Sequence, residues 1–72
     1  MPDVMVYVAA DPAQPGAAWA AVVDDPAHRE QMKAVLSQSL SDWILQGAIV
    51  ERVTVKRARE MLGKWERPEE RG

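Results

Sequence analysis

Residues 25–46, DPAHREQMKAVLSQSLSDWILQ, form the one stretch long and periodic enough to be read as a single element from pattern alone. Met32, Val35, Leu36, Leu40, Trp43 and Ile44 recur at spacings of three and four and so share one helical face, whereas Arg29, Glu30, Lys33, Gln38, Ser41 and Asp42 fall elsewhere. The start of the helix is marked chemically. Asp25 can accept a hydrogen bond from a free amide of the first turn, Pro26 at the first helical position gives up no needed donor, and the negative charge complements the helix dipole. Gly47 supplies the left-handed stop. Such a helix must lie on an apolar surface, and the segments on either side of it read as strands.

Working outward, residues 4–9 (VMVYVA) are β-branched and aromatic-rich, with Asp3 before them and Asp11-Pro12 after. Val4, Val6 and Val8 point one way and Met5, Tyr7 and Ala9 the other, so neither side is polar. A strand apolar on both sides belongs at the centre of a sheet. The turn-rich DPAQPG follows, and Pro15-Gly16 suits the central positions of a type II turn. Residues 17–23 (AAWAAVV) then return as a second strand whose alanines invite close approach by another backbone or helix. After the long helix, residues 48–53 (AIVERV) read as a third strand. Thr54 caps a second helix, with Val53 placed to pack on Ala58 and a stripe of Val55, Ala58, Met61, Leu62 and Trp65.

The expected fold is therefore α+β, in the order ββαβα. It has a three-stranded sheet of spatial order 2-1-3, strand 1 antiparallel to both neighbours, and two helices packed on one face. Residues 1–65 make one small domain, and the charged, proline-containing 66–72 (ERPEERG) reads as a disordered tail. With both helices on one face, the other keeps apolar residues uncovered, which marks an interface. Trp19, Tyr7 and Met5 are the expected interface residues, because large aromatics dominate binding hot spots.

Composition narrows the function. A chain of 72 residues buries only roughly 60% of the surface its unfolded form exposes. There is no cysteine to form a disulfide, and a lone His28 cannot supply a structural zinc site, so self-association or a partner is the natural source of extra stability. The N-terminal MPDVMVYVAADP has neither a basic leader nor a long apolar run, which points to a cytoplasmic protein without a membrane span. The net charge of −2 divides into 2 − 6 = −4 over residues 1–50 and 7 − 5 = +2 over residues 51–72. The basic group Arg52, Lys56, Arg57, Arg59 and Lys64 could contact phosphates, with Trp65 beside it to stack on a base, although Glu51 and Glu60 interrupt it.

Asp3, Asp24 and Asp25 should meet at one end of the hairpin and could serve a cation or acid/base chemistry, but each sits where aspartate also caps or turns the chain. Ser39, in the middle of the apolar stripe, reads as a small packing residue rather than a nucleophile, and His28 as a solvated residue of the first turn. VYVAADPAQPGAAWAAVV (residues 6–23) resembles the opening hairpin of ribonuclease H-like proteins. That family has a catalytic carboxylate shortly after the aromatic, where this chain has Val8, Ala9 and Ala10, so the likeness implies a hairpin and no site residue. The sequence thus points to a non-enzymatic interaction module without cofactor or metal, of the kind found among small bacterial or phage accessory proteins. A homodimer or complex with another protein is expected, and nucleic-acid binding by the basic helix 54–65 is the alternative.

Overall fold

The computed structural model describes residues 4–65, so the expectations for Asp3 and for the tail 66–72 lie outside the described residues. Strand β1 (Met5–Ala10) is central, β2 (Ala20–Asp24) and β3 (Ile49–Thr54) are its antiparallel neighbours, and helices α1 (Arg29–Leu45) and α2 (Val55–Gly63) complete the ββαβα order. The sheet order is β2-β1-β3, as the apolar character of β1 demands.

Local chemistry sets the element ends. Asp25 caps a 3-10 turn, Pro26–His28, by accepting from the Ala27 N–H at 2.9 Å, and the α-helix proper follows from Arg29. At the far end Gly47 has φ +81°, and its N–H donates to the Ile44 carbonyl at 3.0 Å while the Ala48 N–H donates to the Trp43 carbonyl at 2.9 Å. These are the two bonds of a Schellman stop, which only glycine enters cheaply. The hydroxyl of Thr54 accepts from the Arg57 N–H at 3.1 Å and starts α2. Val53 packs on the cluster that holds Ala58, as the hydrophobic-staple spacing requires.

The hairpin differs from expectation in two ways. The Ala17 N–H closes the Gln14–Gly16 turn on the Gln14 carbonyl at 3.0 Å, but Gly16 does not take a positive φ, so the turn is not type II. β2 also begins at Ala20 rather than at 17. Ala17 and Ala18 are buried before the strand starts, and the Ala18 N–H donates to the Met61 carbonyl of α2 at 2.9 Å. Their small size serves burial against a helix end instead of a ladder.

Strand register sorts the side chains into two faces. Val6, Val8 and Ala10 form one core with Ala18 and with Ala58 and Met61 of α2. The opposite face carries Met5, Tyr7 and Ala9 with Asp24, Val22 and Ala20 of β2 and Thr54, Arg52 and Val50 of β3. Here Asp24 binds Arg29, the first residue of α1, and Trp43 of α1 is 7% exposed against Trp19, outside the α2 cluster. Ala9 is fully buried and Met5 and Tyr7 are half-buried. The expectation that both helices share one face is corrected accordingly: α2 lies on the valine face and α1 on the other. The physical reason is β1 itself, whose two apolar sides both need cover.

Candidate functional site

Two kinds of feature were expected to carry function, charged clusters and exposed apolar surface. The acidic cluster resolves into local tasks. Asp24 is only 6% exposed, yet its carboxylate accepts from Arg29 Nε at 3.2 Å and Arg29 Nη2 at 3.3 Å, with Arg52 Nε at 3.7 Å. A forked arginine contact to a nearly buried carboxylate is a charge-assisted pair that fixes geometry as well as energy. It joins β2, α1 and β3 and holds the start of α1 to the sheet. Asp25 caps the 3-10 turn and lies 3.1 Å from His28 Nδ1. The Ala27 N–H first, and then His28, hold its carboxyl below the ordinary aspartate range. Asp11 accepts from the Ala13 N–H at 2.8 Å in an Asx turn. Among the described residues no group of three or more His, Cys, Asp or Glu could hold a metal ion, and every buried side-chain polar atom has a partner.

The basic group is brought together only in part. Arg52 points to Asp24 from β3, and Arg57 pairs with Glu60 at 3.5 Å along α2. Lys56 and Arg59 stand exposed on α2 and Lys64 just past its end, while Trp65 is half-buried. The amphipathic reading of α2 holds for Ala58 and Met61, which face inward, and for the outward charges, whereas Leu62, expected in the buried stripe, is 41% exposed. Ser39 is half-buried on the same side of α1 as Leu36, Leu40 and Trp43, where the stripe placed it.

The apolar surface is arranged differently from expectation. Met5 and Tyr7 sit half-buried on the central strand, on the face opposite the α2 cluster. Trp19 is half-buried just before β2, edge-to-face with Trp43 at a ring separation of 6.3 Å and an angle of 76°. Large apolar side chains remain exposed at several places, among them Val35 on α1 and Leu62 on α2. On the β2 side Val23 is 49% exposed and Ala21 is exposed. Where α1 turns into β3, Ile44 is 65% and Leu45 85% exposed, with Ile49 nearby in sequence. Sequence reasoning placed Val35 and Ile44 in the buried stripe of α1, but they flank it and stay exposed, because a helix lying on a three-stranded sheet buries a narrow line of side chains.

No helix among the described residues is long and apolar enough to cross a membrane. No family model, curated protein or solved structure matches this chain.

Proposed function

We propose that this protein is a small non-enzymatic interaction module that associates with a second copy of itself through an edge of its sheet. The observation that carries the reading is a mismatch between core and surface. Among the described residues, five of the nine buried apolar ones are alanines (Ala9, Ala10, Ala17, Ala18 and Ala58), while larger side chains such as Val23, Ile44 and Leu45 remain in water. Apolar burial contributes about 25 cal/mol per Å², so an alanine core contributes little and exposed valine and leucine leave the rest unrealised. Association recovers part of it. The charged residues support the same reading, because Asp24, Asp25, Arg29, Arg52 and Arg57 are engaged with one another or with the backbone in structural roles. A cytoplasmic setting goes with this proposal, since a chain without cysteine forgoes nothing in a reducing compartment.

The test is the solution mass by multi-angle light scattering across a concentration series reaching several hundred micromolar. A mass rising toward twice that of the 8.0 kDa chain supports the proposal. A mass of 8.0 kDa at every concentration overturns it.

A further inference from the structure

This inference rests on the association proposed above and identifies the edge that carries it. β2 and β3 are the two edges of the sheet, and each presents main-chain N–H and C=O groups on its outer side. They differ in what guards them. β3 has the exposed pair Glu51 and Arg52 at its centre. Two copies of β3 pairing antiparallel about a central two-fold axis would set Glu51 or Arg52 against its own counterpart, and like charges directly opposite are destabilising. β2 reads Ala20-Ala21-Val22-Val23-Asp24, without charge over its first four residues. Its one carboxylate is turned onto the sheet face, where Arg29 and Arg52 neutralise it.

We infer that two copies pair antiparallel through β2 in a register centred on Val22. Val22 then lies opposite its own counterpart, Ala21 opposite Val23, and Ala20 opposite Asp24. The register overlaps the whole strand, brings no like charges face to face, and sets the exposed Val23 against a small residue. Three strands from each copy merge into one continuous sheet. The second copy is the favoured occupant because the edge is complementary to itself and the operation closes, so assembly stops at two. A contact of five residues per strand is small, which puts the dimer at the weak end of specific interfaces, with Kd on the order of micromolar.

The chain has no cysteine, so a single introduced thiol reports on one position alone. Directly opposed residues in an antiparallel pair have Cα atoms about 4.5–5.5 Å apart, within reach of a disulfide or a short bis-maleimide. Val22→Cys is expected to link into a covalent dimer in high yield, Ala21→Cys and Val23→Cys in lower yield, and Glu51→Cys hardly at all. Unchanged far-UV circular dichroism confirms that each variant is folded. Efficient linking at Glu51→Cys with none at Val22→Cys overturns the β2 assignment while leaving self-association intact. Greater yield at Ala21→Cys or Val23→Cys than at Val22→Cys overturns the register. A protein that links at none of these sites and stays at monomer mass overturns the association itself and leaves the edge to a different chain.

Discussion

Replacing Trp43 with alanine removes the largest side chain that α1 contributes to the structure. Trp43 is 7% exposed and stands edge-to-face with Trp19, so truncation loses both the transfer energy of a buried indole and an aromatic pair. Large aromatic-to-alanine changes in cores cost about 3–5 kcal/mol, of which the pair accounts for about 0.5–1.5 kcal/mol. Trp19 is itself half-buried, and water can enter the space left behind, which places Trp43→Ala near the lower end, about 3 kcal/mol. A domain of this length has about 4–11 kcal/mol in all, so the loss is a large fraction of its stability. With a urea slope of about 1–1.5 kcal/mol/M, the midpoint should fall by about 2–3 M. Urea titrations followed by far-UV circular dichroism at one fixed protein concentration measure this. Trp19→Ala and the double variant complete a cycle in which the two tryptophans should couple by about 0.5–1.5 kcal/mol. A Trp43→Ala cost below about 1 kcal/mol, or strict additivity with Trp19→Ala, would refute the placement of α1 against the sheet through this pair.

Further outcomes follow from single contacts. Gly47→Ala forces a Cβ into the φ +81° stop of α1 and should cost about 1–2 kcal/mol, read as a lowered urea midpoint with unchanged spectrum. The carboxyl of Asp25 is held below its ordinary range by the Ala27 N–H, so its stabilising share is complete above the unfolded aspartate pKa of about 3.9 and disappears as pH falls through the lower folded value. The stability gap between wild type and Asp25→Ala should therefore be present at neutral pH and shrink below about pH 4. An equal gap at both ends would contradict that capping role. For the basic helix, anisotropy titrations with duplex DNA at about 150 mM salt should show binding no tighter than the non-specific range of about 0.1 mM to 1 μM, and no selective loss on Arg59→Ala.

The parts of this fold that were legible in the sequence are those decided within a few residues. Asp25-Pro26, Gly47 and Thr54 mark helix ends because a cap is a local hydrogen-bond problem with few solutions. The order β2-β1-β3 follows from one strand being apolar on both sides. The same observation carried more than the helix stripes did. Each stripe demands a surface without specifying which one, and only β1, by needing cover on two sides, decides that the helices divide. The Arg29–Asp24–Arg52 cluster was not legible, because its members come from β2, α1 and β3 and meet only once the register puts Asp24 and Arg52 on one face. An aspartate ending a strand that leads directly into a helix starting with arginine was the available signal. Alanines 17 and 18 misled by composition, since residues that pack under a helix end look like those of a buried strand. The aromatic content drew attention to Trp19 and Tyr7, whereas the large apolar side chains left exposed include Val23 on β2 and Ile44 and Leu45 at the end of α1, which depends on strand order and helix placement that side-chain type alone does not carry.

The most direct measurement is the sedimentation-equilibrium mass of wild type and Val23→Lys side by side. Val23 is already 49% exposed, so a lysine there is tolerated by the single chain, yet it puts two charges into a β2–β2 contact, the way natural edge strands are kept apart. Wild type is expected to approach twice the 8.0 kDa chain mass, and Val23→Lys to remain at 8.0 kDa over the same concentrations. Equal masses for the two proteins, whether both single or both double, would contradict it.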